Sequence, residues 1–200
     1  MKTDHSPAPL PPKQKIVAAA ENLFMAQGFR STTIAEIAHA AEMSPANLYR
    51  HYENKEDIAA ACVEHCLDKK NKILRGVLQS KHANTAILLE AFVIALLRYT
   101  HNEAMCNSKL NEMCETVIAL RPEAIHIIMS NLQAMFAEIL ARGNASKEFE
   151  VKNIMLTSET LLETLSTFSN PLLMHLHPLP EFERRAREAV SLLVRGLSRQ

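Results

Sequence analysis

Two helix-start signals stand close together in this chain, at Thr33 and Ser44, and the room between them admits only a short helix and a turn. Thr33-x-x-Glu36 is a capping box, in which the hydroxyl and the carboxylate each satisfy an orphan backbone N–H. Ile34, Ile37, Ala38 and Ala41 then fall on one face of a helix. Ser44-Pro45 starts the next helix, with a capping hydroxyl followed by a proline where no N–H is needed. That leaves Glu42 and Met43 for the turn. Two short helices so joined are a helix-turn-helix, whose second helix lies in the major groove of DNA.

The second helix, Pro45 to about Tyr52, turns Leu48 and Tyr52 back toward the first and leaves Ala46, Asn47, Tyr49 and Arg50 outward. Asn and Arg read adenine and guanine edges through paired hydrogen bonds. Gly-Phe, Thr-Thr-Ile-x-x-Ile-Ala, a short turn, Ser-Pro-Ala-Asn-Leu-Tyr-Arg-His-Tyr and Asn-Lys-Glu-Asp follow one another over roughly residues 13 to 60. This run resembles the DNA-binding domain of TetR/AcrR-family transcriptional regulators in order and spacing.

The resemblance implies an all-α fold of about nine helices, with an N-terminal three-helix DNA-binding domain and a C-terminal helical regulatory and dimerisation domain. It divides the chain into an arm at 1–12, a reading domain at 13–58 and an effector-binding and dimerisation domain at 59–200. It further implies that Thr33, Ser44, Tyr49 and Lys55 meet the DNA backbone, while Pro45, Ala46, Asn47 and Arg50 face the bases. Thr33 and Ser44 as helix caps are also explained by capping alone. His51 joins the DNA-binding set, although by residue type it reads first as a half-buried packing residue. The partners implied are double-stranded DNA with a near-palindromic operator, a second copy of the chain, and a small-molecule effector.

Charge counts mildly against this reading, because phosphate binding usually shows as a basic footprint. Formal net charge is zero over 200 residues, so the chain as a whole has no electrostatic bias toward polyanions. Through Lys55 the cations are Lys2, Lys13, Lys15, Arg30, Arg50 and Lys55, against Asp4, Glu21, Glu36, Glu42 and Glu53. DNA affinity then depends on where a few cations sit and on their doubling in a dimer. Met1–Pro12 is polar and proline-rich with no apolar core, so it reads as a disordered arm and not an export signal. The most apolar run, Ala86 to Leu97, is interrupted by Glu90 and falls far short of the roughly 20 residues of a membrane span. A cytoplasmic protein with no membrane partner is the expectation, with Cys62, Cys66, Cys106 and Cys114 as reduced thiols.

Helical periodicity continues along the chain. A first helix over Lys13–Gln27 ends at Gly28, and a helix capped by Asn54 runs to about Leu78 with a polar loop after it at Ser80–Asn84. The resemblance makes that second helix the link between the two domains. Further helices are expected over Ala86–His101, Asn102–Leu120, Ile125–Gly143, from a Ser146 cap to Phe168, and over Glu181–Arg199, with a bend at Leu172–Pro180. The last two long helices suit a dimer interface, with Leu161, Leu165, Phe168, Ala186, Ala189 and Leu193 as its candidates; small Ala186 and Ala189 allow a second copy to approach closely.

Six of the nine methionines lie in this second part, and Met-rich apolar surfaces repack around varied ligands, although Met at helical spacing is also ordinary core. Phe92, Leu96, Tyr99, Met113, His126, Met129, Met155 and Glu159 form the candidate effector pocket. Cys62, His65 and Cys66, three and four apart on one helix, pose the alternative of a metal or thiol-redox sensor. The paired CxxC spacing of a metal site is missing, and no metal or cofactor is expected. An enzyme has little support, since there is no Gly-rich phosphate loop, GxSxG elbow or HExxH. A helical interaction module whose helix-turn-helix merely packs would hide Asn47, Tyr49 and Arg50.

Overall fold

The computed structural model describes residues 10–106, 117, 119 and 123–198. Helix α1 (Pro12–Gln27) begins at a proline, where its missing N–H is not needed, and ends at Gly28, whose φ of 91° only glycine adopts without strain. Helices α2 (Ile34–Ala40) and α3 (Pro45–Tyr49) follow, capped by Thr33 and Ser44 as expected. Helix α3 is shorter than the sequence reading by one turn. Helix α4 (Lys55–Gln79) is capped by Asn54, whose side chain accepts the Asp57 N–H at 2.7 Å.

Helix α5 (Thr85–Cys106) and α6 (Glu123–Ala145) form the middle of the second core. The helix expected over Asn102–Leu120 lies for the most part outside the described residues, with Met113 and Cys114; its first residues, through Cys106, extend α5. Helix α7 (Ile154–Thr164) gives way to two 3-10 turns, Ser166–Phe168 and Pro171–Leu176, and α8 (Leu179–Leu197) closes the chain.

Two apolar clusters share α4. Ile16, Ala20, Phe24, Phe29, Ile37 and Leu48 pack against Ile58, Ala59 and Cys62 from its first half, with Phe24 and Phe29 edge-on at 5.4 Å. Leu74 and Leu78 from its second half join Phe92, Leu97, Phe136, Ile139 and Phe182 in the other cluster, where Phe92 and Phe136 meet edge-on at 5.1 Å. Along α4 the first cluster extends to Leu67, and Val117 from beyond α5 also belongs to it. One continuous helix thus has a foot in each core.

The expected Ser146 cap is a correction. Ser146 belongs to the end of α6, where its hydroxyl donates to the Gly143 carbonyl at 3.1 Å. The chain then turns through Lys147 at φ 61° and folds Phe149 over Gly143, where a Cβ would overlap the aromatic ring. Helix α7 starts only at Ile154, with the Asn153 side chain accepting the Leu156 N–H at 3.1 Å. The same Glu148 that lies in this turn reaches across to α5. Its carboxylate accepts the Thr85 N–H at 2.6 Å and the Thr85 hydroxyl at 3.2 Å, so the start of α5 is held by a residue from beyond α6.

Candidate nucleic-acid interface

The helix-turn-helix is built from reciprocal caps. The Thr33 hydroxyl accepts the Glu36 N–H at 3.2 Å, and the Glu36 carboxylate accepts the Thr33 N–H and hydroxyl, each at 2.8 Å. Those bonds from the backbone and hydroxyl of Thr33, with Gln27 adding, hold the Glu36 carboxyl below its ordinary value. Helix α2 ends with the Met43 N–H on the Ala38 carbonyl and the Glu42 N–H on that of His39. This is a Schellman ending, which needs a left-handed residue, and here Glu42 supplies it at φ 57°.

Helix α3 is anchored through Leu48, which is fully buried, and through the Ser44 hydroxyl accepting the Asn47 N–H at 3.2 Å. Pro45, Ala46, Tyr49 and Arg50 are exposed, and Asn47 and His51 are half-buried. Tyr49 leaves half of its surface in solvent. Among the described residues Arg50 has no ion-pair or hydrogen-bond partner for its guanidinium. Lys15 faces Glu42 at 3.8 Å, and Lys13 lies 5.8 Å from the centre of the Tyr52 ring.

Lys55 stands apart from its expected role. Its ammonium donates to the carbonyls of Phe29, Arg30 and Thr32 at 2.8, 3.3 and 2.9 Å and sits 4.5 Å from the centre of the Phe29 ring. Three donors on three carbonyls use every proton an ammonium has. Lys55 therefore straps the loop between α1 and α2 to the start of α4, with its protons on carbonyl oxygens that leave its positive charge unneutralised. Sequence reasoning missed this because nothing in the spacing announces a lysine bonded to carbonyls more than twenty residues away.

The sensor alternative also fails on geometry. Cys62 is fully buried and donates its thiol to the Val17 carbonyl at 3.7 Å. Burial, with Glu21 and Cys66 adding, pushes that thiol well above its ordinary value, away from the reactive thiolate. His65 turns instead to the carboxylate of Glu21 on α1 at 2.7 Å, where Lys69 also lies at 3.4 Å. Among the described residues no group of three or more His, Cys, Asp or Glu could hold a metal ion.

The expected effector pocket does not converge on one cavity. Phe92 and Leu96 are core of α5. Tyr99 donates its hydroxyl to the Cys66 carbonyl at 2.7 Å, tying α5 to α4. His126 and Met155 are exposed, while Met129 and Glu159 line one groove of about 550 Å³ between α6, α7 and the 3-10 turns. The dimer candidates need a similar correction. Leu161, Leu165, Phe168 and Ala186 are buried in the chain's own second core, and Ala189 and Leu193 pack against it. Ala186 makes room for α5, which α8 crosses closely and meets through the Arg98–Glu183 pair at 2.6 Å and the Arg187–Glu90 pair. The apolar side chains that α7 and α8 leave in solvent are Met155, Leu156 and Leu192.

A strapped, capped two-helix unit with a short outward-facing helix defines the class: a helix-turn-helix DNA-binding regulator. The family model for bacterial regulatory proteins of the tetR family matches residues 16–62, and that for the tetracyclin repressor-like C-terminal domain matches residues 87–190. The chain belongs to the TetR family of transcriptional regulators. It is similar to the HTH-type transcriptional repressor BepR of Brucella suis biovar 1, at 24% identity over 167 residues, which is 79% of this chain and 78% of that one. It is also similar to IcaR of Staphylococcus epidermidis, the negative regulator of the biofilm operon icaADBC, at 39% identity over 56 residues, 28% of this chain and 30% of that one. The crystal structure of a transcriptional regulator from Cytophaga hutchinsonii shares the fold, with a TM-score of 0.74 at 18% identity over 93% of this chain and 98% of that one. Among the described residues no helix is long and apolar enough to cross a membrane.

Proposed function

We propose that the chain is a homodimeric repressor that works in the cytoplasm and leaves its operator when a small molecule binds its second domain. The observation that carries this reading is the outward face of α3, where Arg50 is exposed and without a partner on a scaffold fixed by Ser44, Leu48 and the Lys55 strap. Asn47 and Arg50 read bases, while Thr33, Ser44 and Tyr49 meet the backbone on either side, with Pro45 and Ala46 against the groove floor. His51 is a packing residue at the edge of that face. Lys55 acts by holding the loop in place.

Met155 and Leu156 on α7 and Leu192 on α8 supply the apolar centre of the dimer interface, in place of the inward residues suggested by sequence. An isologous contact brings the same patch from both copies together and sets the two reading heads on successive major grooves, about 34 Å apart. An effector that prefers a different tilt of α4 shifts the population to mis-spaced heads. Electrophoretic mobility shift against the DNA flanking its own gene tests the reading. A specific shift at physiological salt supports it, and indifference between that DNA and random sequence rejects it. Leu192→Glu separates the dimer from the monomer fold: it should yield a folded monomer in sedimentation and lose the shift.

A further inference from the structure

The groove between α6, α7 and the two 3-10 turns carries an unbalanced charge. Its apolar wall is Met129, Leu162 and Pro171, and Glu159 and Glu163 stand one helical turn apart beside it. Among the described residues no lysine, arginine or histidine lines it, and neither carboxylate has an ion-pair or hydrogen-bond partner. Elsewhere in this domain the carboxylates of Glu181, Glu183 and Glu90 all meet arginines. Two like charges at i and i+4 repel, and this pair lowers the stability of α7 without a compensating contact. Gln133 spends its amide nitrogen on the Met155 carbonyl at 3.3 Å, which leaves its amide oxygen as a third acceptor.

We propose that this groove is the effector site and that it takes an amphipathic organic cation, with the apolar body against Met129, Leu162 and Pro171 and the charged nitrogen between Glu159 and Glu163. The inference rests on the reading of the chain as a ligand-responsive regulator. The volume of about 550 Å³ falls within the range of small-molecule sites. A half-exposed apolar wall beside unpaired, solvent-facing carboxylates attracts a cation and rejects an anion of the same shape.

The groove is also connected to the reading head. Met129 and Gln133 lie on α6, and Arg142 of the same helix donates to the Leu78 carbonyl at 2.5 Å, at the end of α4. A ligand that displaces α6 thus pulls on the helix whose other half forms the core behind the helix-turn-helix. The distance along α6 from Met129 to Arg142 is about 20 Å at roughly 1.5 Å per residue.

Isothermal titration of the full chain with 4-phenylbutylamine, 4-phenylbutanol and 4-phenylbutyrate at pH 7.5 tests this, since the three share one apolar body and differ in charge. The amine should bind at least tenfold more tightly than the alcohol, and the carboxylate more weakly than either. In Glu159→Gln/Glu163→Gln the amine should fall to the affinity of the alcohol while the melting temperature stays equal or rises. In a mobility shift the amine should release DNA from the parent chain and not from that variant. Equal binding of amine and alcohol, or amine binding unchanged in the variant, overturns the proposal. So does a variant that alters the dimer dissociation constant in place of amine affinity, which would assign the carboxylates to the subunit interface. A parent chain that fails to shift DNA before any probe is added sinks the regulator reading, while the calorimetry still judges the groove.

Discussion

The ammonium of Lys55 donates to the carbonyl of Phe29 at 2.8 Å, joining the first residue of α4 to the loop that enters the helix-turn-helix. Together with Arg30 and Thr32 it gathers three carbonyls around one cation. Lys55→Met keeps much of the stem packing over the Phe29 ring and removes the bonds. A hydrogen bond to a charged group contributes about 1.5–3 kcal/mol, and at this partly exposed site, where water re-solvates the freed carbonyls, the three together are worth little more than one buried bond. The expected result is a fall in unfolding free energy of about 2 kcal/mol by urea denaturation with an unchanged m-value. DNA affinity should drop for all sequences through loss of loop order, with the salt dependence intact. A fall of about one unit in the salt slope would mean that Lys55 neutralises a phosphate after all.

Arg50 and Asn47 should behave in the opposite way. Neither is part of the core, and Arg50 has no partner in the folded chain, so Arg50→Ala should shift stability by less than about 0.5 kcal/mol. Its effect should appear as lost discrimination: about 1–3 kcal/mol between the operator and a site altered at one base pair. Asn47→Ala should relax a different base pair. Competition binding against a panel of single-base operator variants measures both. If Arg50→Ala weakened operator and random DNA equally, its role as a base reader would be excluded.

Within the helix-turn-helix, Glu42 occupies a turn position where a side chain is a burden. Its φ of 57° costs a non-glycine residue roughly 1–2 kcal/mol. Against that cost stands an exposed contact with Lys15 at 3.8 Å, worth little in solvent. Glu42→Gly should therefore stabilise the protein by about 1 kcal/mol, less the added entropy of glycine in the unfolded chain. Thermal denaturation followed by circular dichroism checks the direction, and operator affinity should not fall.

The reading domain was legible in the sequence because local chemistry builds it. Thr33, Glu36, Ser44 and Asn54 act on N–H groups within three residues of themselves, and each does in the structure what its type predicts. The second domain was legible only as a succession of helices. Helical periodicity tells which face of α7 and α8 is apolar but not which neighbour it meets, so Leu161, Leu165, Phe168 and Ala186 stand as candidates for a second copy when the chain's own core takes them. Ser146 misled for a related reason: a serine after a glycine looks the same whether it starts a helix or closes one, and Phe149 folding over Gly143 decided the matter. Long-range partners such as Glu148 with Thr85, or Lys55 with Phe29, leave no mark on local spacing.

Glu148 gives the remaining prediction, on pH. Burial works against its charge, but hydrogen bonds from the Thr85 N–H and hydroxyl, with Ser146 and Ala86 adding, outweigh burial and hold the carboxyl below its ordinary value of 4.5. A carboxyl whose folded value lies below its unfolded one contributes stability that is fully present above the unfolded value and is lost as pH falls through the folded one. Glu148→Gln keeps the shape and one acceptor but removes the charge at the start of α5. Near pH 7 it should cost about 1 kcal/mol, in line with the loss of a helix cap. The gap between parent and variant should begin to close as pH drops below about 4.5 and should vanish once the parent is protonated. Urea unfolding of both chains from pH 7 to pH 3 measures it. A gap of constant size across that range would show that the Glu148 charge does not hold α5, and that the bonds to Thr85 act only through their geometry.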